Sequence, residues 1–350
     1  MNRQLDKRDE TLDIAKGIGI LLVVLGHCPQ VWNPLKQWIY AFHMPLFFLV
    51  AGMVWDRYTH EKRGFLTGSF LLKKAKRLLL PCFLWGVLYM LVGFVRARSI
   101  TPMGFAYLIY GSQAGFSKAD SLTSLWFLPC MFVSVCLFEG LQQAVHNKKG
   151  YTWILAALSI VFAAIGVLLP KLSGGYPWSI DVSMLALALM ICGFLLKDKF
   201  RKLTQHFWTT LLTSLICLGI LTATYRLNLD YISINNADMA GRYFGNPALY
   251  LLDALCGSLF ALTASALLKT VKRVKPVLAR MGSHTIPILL IHKPVVQILG
   301  KVFQKTGVTD FVAVVVEFVV AVLVSEGVYW LSVRRMPGIY GEDRRMRKAR

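Results

Sequence analysis

Ten mostly apolar stretches of about 20 residues interrupt this 350-residue sequence, and they constrain its fold more than any other feature. A helix needs roughly 20 apolar residues to cross a hydrocarbon core about 30 Å thick, so each stretch predicts a membrane-spanning helix. The sequence therefore predicts an all-α fold, a polytopic membrane bundle of about ten transmembrane helices. The stretches lie near Leu12 to Val31, Trp38 to Trp55, Leu78 to Val95, Leu122 to Val145, Tyr151 to Leu169, Trp178 to Leu196, Phe207 to Tyr225, Ala248 to Leu268, Met281 to Gly300 and Phe311 to Ser332.

The composition excludes a water-soluble globule. Hydrophobic residues make up 56% of the chain and charged residues 16%, whereas ordinary soluble domains carry about 25% charged residues. The net charge of +21 does not indicate a nucleic-acid partner, because the basic residues alternate with apolar runs instead of covering one soluble face. The seven cysteines lie in or beside those runs without a C-x-x-C pair, so we expect small buried side chains and no metal site.

Basic residues are distributed unevenly between the two sides that alternating spans create. The termini and the connections on their side carry 28 Lys and Arg residues, against 9 on the opposite side. By the positive-inside rule, this asymmetry predicts that both termini are cytoplasmic. We therefore expect a multi-pass protein of the inner or plasma membrane, with the lipid bilayer as its surroundings.

The connections between the stretches predict one domain. The longest external connections, 96–121 and 226–247, are too short for a second folded unit. We expect a single integral-membrane domain over residues 1–350, with 12–332 embedded and 333–350 forming a basic cytoplasmic tail. The first stretch is expected to be retained, because it carries Asp13 and Lys16 and no small-x-small cleavage site follows it.

The first stretch contains two ionisable residues, which are energetically costly to place in a membrane. An ionisable group inside a span costs at least a few kcal/mol and usually faces a bundle interior, so Lys16 and His27 are functional candidates. The eleven-residue step between them corresponds to three helical turns plus about 20° and to a rise of about 16.5 Å. Both side chains therefore lie on one face of the predicted helix, which packing alone seldom explains.

Other ionisable residues give the two ends of the predicted bundle different chemical characters. On the cytoplasmic side, Lys74 and Arg77 share a helix face and form a cationic group suited to phosphates. The sequence thus predicts a basic cytoplasmic mouth and an external mouth of imidazoles and carboxylates. The external group comprises His27, His43, Asp181, Asp253 and Glu317, each placed in the outer half by the helical rise.

Structural roles are open for several of these residues. A histidine in a membrane helix often only bonds a neighbouring helix, which applies equally to His43 and His292. The basic run 73–77 is also explained by topology and by side chains that reach the membrane surface. Asp181 suits an interfacial position better than a catalytic one, since its span boundary is uncertain by a turn.

Together these motifs resemble the integral-membrane acyltransferase family 3, and within it the fucose 4-O-acetylase-like branch. The signature of that family, Arg or Lys, ten residues and then His, stands here as Lys16 to His27. The resemblance runs in order through nearly the whole chain, from about Leu12 to Arg335. The other matching segments are YAFHMPLFFLVAGM (Tyr40 to Met53), KKAKRLLLP (Lys73 to Pro81), LWFL (Leu125 to Leu128) and GSHTIPILLIHKP (Gly282 to Pro294).

The resemblance implies transfer of an acyl group, usually acetyl, from cytoplasmic acyl-CoA to a hydroxyl of a cell-surface or lipid-linked glycan. His27 is then the general base, acting directly or through a transient acyl-imidazole, and His43 is a second candidate. Glu317 is expected to orient an imidazole. The expected acyl-CoA-binding residues are Lys16, Lys74 and Arg77. No cofactor is implied beyond acyl-CoA itself as co-substrate.

Departures from the family pattern leave other functions open. Lys16 and Lys74 replace the more frequent arginines, which keeps the charge but loses the planar, bidentate group that binds phosphate. One alternative is an exporter of a polysaccharide or its precursor, and another is a membrane-sensing or anchoring module. Only the Lys16 and His27 pair argues against them, because neither function needs a base. The sequence indicates no oligomeric state.

Overall fold

The computed structural model describes residues 10–56, 66–97, 102–118, 120–232, 237–308 and 311–342. Within these ranges the chain forms α-helices and short 3₁₀ turns, with no strand and a single antiparallel bridge between Asp238 and Tyr243. This confirms the all-α prediction. The helices are α1 (Glu10–His27), α2 (Asn33–Tyr40), α3 (His43–Met53), α4 (Gly68–Ala97), α5 (Pro102–Tyr110), α6 (Gln113–Lys118), α7 (Phe127–Val145), α8 (Tyr151–Leu168), α9 (Ile180–Leu203), α10 (Phe207–Leu229), α11 (Pro247–Leu268), α12 (Val274–Ser283), α13 (Thr285–Thr306) and α14 (Phe311–Ser332).

Helical segments long and apolar enough to cross a membrane number 8 among the described residues. They correspond to the third to tenth predicted stretches, and they make the chain a multi-pass membrane protein. The orientation of the termini stays a prediction. The segments are Gly68–Val92, Leu122–Val145, Tyr151–Leu168, Pro177–Leu203, Phe207–Leu229, Pro247–Leu268, Thr285–Thr306 and Phe311–Ser332.

Helix α1 occupies the centre of the bundle. It carries three charged residues, Glu10, Asp13 and Lys16, in its first two turns, so it is less apolar than the eight spanning segments. Its main packing partners are α12, α11, α3 and α13. Ile14 and Val24, near its two ends, are fully buried. Surrounding helices therefore enclose α1, including the Asp13 side chain, which is 8% exposed, and a bundle interior is where a membrane protein tolerates such a group.

The second predicted stretch is not one helix, which corrects the prediction of a continuous span from Trp38 to Trp55. Helix α2 ends at Tyr40 and α3 begins at His43, because the intervening Phe42 leaves helical geometry with φ −141° and ψ −16°. Pro45 has no N–H to donate to the carbonyl four residues earlier, so it is best accommodated in the first turn of a new helix. The break places His43 at the start of α3.

Glycines bring α1 into close contact with α12. A Cβ added to Gly17 would collide with the carbonyl of Leu278, and one added to Gly282 would collide with the carbonyl of Asp13. The ninth predicted stretch is also divided, since α12 ends at Ser283 and α13 begins at Thr285. The close packing of α1 on α12 therefore brings the charged first turns of α1 near the start of α13.

The segment 333–342, which the sequence assigns to the cytoplasmic tail, packs against the bundle. Tyr340 is buried, and the Trp85 indole nitrogen donates to the carbonyl of Ile339 at 3.0 Å. The Tyr329 hydroxyl donates to Glu342 Oε1 at 2.9 Å. Apolar and hydrogen-bonding side chains thus hold this part of the predicted tail on α4 and α14. Residues 343–350 of that tail lie outside the described residues.

Candidate functional site

Three imidazoles meet near the end of α1. His27 is the last residue of α1, and its Nδ1 atom lies 3.3 Å from Nε2 of His292 on α13. The ring of Tyr40 links His27 to His43, with centroid distances of 6.3 Å and 4.9 Å, respectively. The structure therefore brings the two predicted histidines together and adds His292, which lies 265 residues from His27 in the sequence.

One kind of hydrogen bond sets the tautomer of each of the three imidazole rings. In each, Nδ1 contacts the backbone carbonyl four residues earlier, at Val23, Ile39 and Ile288 for His27, His43 and His292, each at 2.8 Å. A carbonyl oxygen only accepts, so in the neutral ring Nδ1 carries the proton and Nε2 keeps the basic lone pair. His43 and His292 are buried, whereas His27 is half-buried. His27 is thus the most accessible base of the three.

Glu317 contacts the segment that follows His27. With its amide nitrogen facing the carboxylate, Gln30 donates to both carboxylate oxygens of Glu317, at 2.9 Å for Oε2. This carboxylate is fully buried, and the neighbouring Cys28 thiol donates to the Val24 carbonyl of α1 at 3.5 Å. These contacts anchor the chain just after α1. The predicted role of Glu317, orienting an imidazole through direct contact, stays a prediction.

Lys16 lies at the opposite end of α1. The helix is uninterrupted from Glu10 to His27, so the expected rise of about 16.5 Å separates the Cα positions of Lys16 and His27 on one face. The Lys16 ammonium lies 2.6 Å from Oδ1 of Asp13, and the two side chains are 28% and 8% exposed. The structure therefore gives the predicted cation a carboxylate partner in the preceding turn.

A second charged group surrounds the junction of α12 and α13. Glu326 of α14 accepts hydrogen bonds from Arg280 at 3.0 Å and from His284 Nδ1 at 2.8 Å. Lys275 pairs with Glu10 at 2.7 Å. The sequence reasoning missed these groups because their partners lie far apart in the chain. The only local signals were glycines that permit α12 to approach α1.

Lys74 and Arg77 lie on α4. The Lys74 ammonium lies 5.3 Å from the Phe70 ring centroid, and both Arg77 and the buried carboxylate of Glu139 are within electrostatic range of it. Glu139 also accepts from the Trp55 indole nitrogen at 2.8 Å. Helix α4 packs mainly on α7 and on the 3₁₀ turns, whereas α1 packs on other helices. Of the three predicted CoA-binding cations, Lys16 therefore lies on α1, whereas Lys74 and Arg77 lie on α4, and these two helices do not pack mainly against each other.

The remaining predicted carboxylates have structural contacts. Asp181, in the first turn of α9, pairs with the buried guanidinium of Arg242 at 3.5 Å. Asp253 accepts a hydrogen bond from the hydroxyl of Thr224. The interfacial position expected for Asp181 stays a prediction. Within the described residues, no three His, Cys, Asp or Glu side chains form a group that could hold a metal ion.

These features define a polytopic membrane protein whose central helix carries a basic imidazole at one end and an ion-paired lysine at the other. A family described as an acyltransferase domain matches residues 9–330, and the chain belongs to this family. It is similar to nodulation protein NolL of Mesorhizobium japonicum, with 29% identity over 194 residues, which is 49% of this chain and 46% of that protein. Nodulation protein NolL of Sinorhizobium fredii is 31% identical over 192 residues, or 49% and 47% of the two chains.

The chain spans about half the length of the curated relatives it matches. No solved structure matches it. The family is described as an acyltransferase domain, and the multiple apolar helices of this chain make it a multi-pass membrane protein.

Proposed function

We propose that this protein is a membrane O-acyltransferase that moves an acyl group, in the first instance acetyl, from cytoplasmic acyl-CoA to a hydroxyl of a cell-surface or lipid-linked glycan. The observation that carries the proposal is His27, a half-buried imidazole whose Nδ1 is bonded to a carbonyl and whose Nε2 is basic. The resemblance to the fucose 4-O-acetylase-like branch supports acetyl as the group transferred. The inner or plasma membrane is the proposed location.

The chemistry needs one base. Nε2 of His27 removes the proton from the acceptor hydroxyl as its oxygen forms a bond to the thioester carbonyl carbon. The carbon–sulfur bond then breaks, and the departing CoA sulfur takes the proton back from Nε2. In the covalent alternative, Nε2 attacks the thioester carbonyl carbon and CoA leaves as the thiolate. The acyl-imidazole then transfers its acyl group to the hydroxyl oxygen, and the hydroxyl proton passes to the CoA thiolate. In both routes, Nδ1 keeps its proton on the Val23 carbonyl.

The proposed donor side is the Lys16 end of α1. CoA phosphates would be bound by Lys74 and Arg77, where the guanidinium is exposed and the ammonium half-buried. Lys16 would direct the thioester from below His27 while remaining paired with Asp13. The acyl-bearing arm would then run along α1 between the two ends.

The proposed acceptor side is the imidazole end. Tyr40 places an aromatic ring within 6.3 Å of the His27 ring centroid, next to the short helix α2. Rings with a polar tip and an apolar face suit saccharides, which present both kinds of surface. Topology reporters test this orientation: fusions at Thr204, between α9 and α10, should report the cytoplasm, and fusions at Gly245, before α11, should report the exterior. A cytoplasmic Gly245 would contradict it.

Release of the CoA thiol tests the proposed activity directly. Purified protein in nanodiscs, given acetyl-CoA and a lipid-linked or cell-surface glycan fraction, should release free thiol and acetylate the glycan. His27→Gln should abolish both, whereas His206→Gln, at an exposed position before α10, should change neither. If the protein moves glycan across vesicles without consuming acetyl-CoA, the export alternative replaces the transferase.

A further inference from the structure

His292 is the buried partner of His27. Its Nε2 atom lies 3.3 Å from His27 Nδ1, and its own Nδ1 lies 2.8 Å from the carbonyl oxygen of Ile288. The ring centroids of the two histidines are 5.0 Å apart, and His292 has no exposed surface. The contact joins α13 to the end of α1, so the position of His27 depends on a second helix.

The hydrogen bonds assign the protons in this pair. Because Nδ1–H of His292 donates to the Ile288 carbonyl, Nε2 of the neutral ring presents its lone pair to His27. His27 Nδ1 therefore faces two acceptors, the Val23 carbonyl and His292 Nε2. In the other tautomer of His27, the unprotonated Nδ1 would direct its own lone pair at the lone pairs of these two acceptors, which is repulsive. Two acceptors thus keep the proton on Nδ1 and leave Nε2 as the base.

We propose that His292 is a positioning residue for acyl transfer, acting through His27 as the second acceptor for its Nδ1 proton. This inference rests on the proposed function. His292 would take the place that an Asp or Asn side chain has behind the histidine of other acyl-transfer sites. A neutral imidazole adds no anionic charge to the membrane interior, where an unpaired carboxylate is costly.

The His292 acceptor stabilises His27 most when the His27 ring is protonated. After Nε2 accepts the hydroxyl proton, the ring is an imidazolium, and its Nδ1–H still has both acceptors. The surrounding groups are Lys293 beside His292 on α13, His43 from α3 and Tyr40 from α2, while Glu317 of α14 bonds the segment after His27. Lys293 repels the imidazolium, and His292 accepts from its Nδ1–H only while the His292 ring itself is neutral.

Two variants of similar size separate positioning from packing. His292→Gln keeps an amide oxygen near the place of Nε2, whereas His292→Met fills similar space with only a weak acceptor. We expect His292→Met to lower kcat about 10- to 100-fold with little change in the KM for acyl-CoA, the range for partners that orient a functional histidine. His292→Gln should recover most of the wild-type rate. Equal rates in the two variants would make His292 a packing residue.

Nitrogen NMR of ¹⁵N-histidine-labelled protein tests the inference without turnover. The chain has 7 histidines, and His27→Gln identifies the His27 signals by difference. We expect a protonated, hydrogen-bonded Nδ1 on His27 in the wild type, and a tautomer mixture in His292→Met. An unprotonated Nδ1 in the wild type would overturn the proposal even if the Met variant failed to fold. Absence of thiol release from wild-type protein would instead contradict the proposed function.

Discussion

The ammonium of Lys16 lies 2.6 Å from Oδ1 of Asp13, one turn earlier on the central helix α1. Because both side chains are largely removed from solvent, each lowers the cost of burying the other. The pair also fixes where the positive charge sits below the imidazole end. A cation held by a carboxylate on its own helix keeps its position as neighbouring helices move.

A double-mutant cycle measures this coupling. Asp13→Asn and Lys16→Met should each lower the free energy of unfolding by about 1 to 2 kcal/mol, since each removes one member of a close and largely buried ion pair. The double variant should cost less than the sum of the single ones. Thermal unfolding in detergent provides the measurement. Strictly additive losses would show that the two charges do not stabilise each other.

How far the sequence predicts this fold depends on the local signal. Apolar length alone predicts a helix from Tyr151 to Leu169, and α8 spans Tyr151–Leu168. It did not reveal the break at Phe42, because apolar residues continue through it and the only indication is Pro45. Hydropathy reports whether a segment prefers lipid or protein to water. It does not report whether the segment is one helix or two.

The candidate site is predictable to the same degree. Lys16 and His27 were found because helical spacing relates residues on one helix. The contact between His27 and His292 spans 265 residues, and nothing in the spacing of either motif implies it. The pairing of Asp181 with Arg242 across 61 residues was missed for the same reason. Such contacts depend on how helices pack, which a single sequence does not encode locally.

Arg242 is expected to matter for stability and not for chemistry. Its backbone has φ of 55°, and its guanidinium donates to carbonyls at the end of α8, including Gly166 at 3.1 Å and Leu169 at 2.6 Å. Those carbonyls have no partners within the helix. Arg242→Met should therefore lower the free energy of unfolding by roughly 2 to 3 kcal/mol.

The control for this prediction is Asp181→Asn. It removes the charge pair but leaves the bonds from Arg242 to the α8 carbonyls, so its effect should be smaller. Melting temperature and the KM for acyl-CoA are the two readouts. A changed KM in folded Arg242→Met protein would contradict a purely structural role.

The cationic residues of α4 provide a test of donor binding. If Lys74 and Arg77 bind CoA phosphates, the double variant Lys74→Ala, Arg77→Ala should insert normally but raise the KM for acyl-CoA at least about tenfold. That loss corresponds to about 1.4 kcal/mol, within the value of one or two charge-assisted hydrogen bonds.

Exposed lysines on the same helix give the matched control. Lys73→Ala, Lys76→Ala removes two charges from exposed positions and should leave the KM nearly unchanged. Equal effects of the two double variants would assign the run to membrane topology and not to a phosphate site. Initial rates at varied acyl-CoA, with protein level measured by immunoblot, distinguish these outcomes.

His27 carries the central prediction. Removal of a general base typically lowers a rate about 100- to 10,000-fold, whereas an interhelical hydrogen bond in a membrane averages well under 2 kcal/mol. His27→Ala and His27→Gln should therefore both lose acyl transfer while the protein still reaches the membrane. His43→Gln should cost less, because His43 is buried and the Tyr40 ring lies between it and His27. Near-normal turnover in His27→Gln would assign the base to His43 or Glu317 and reduce His27 to a packing residue.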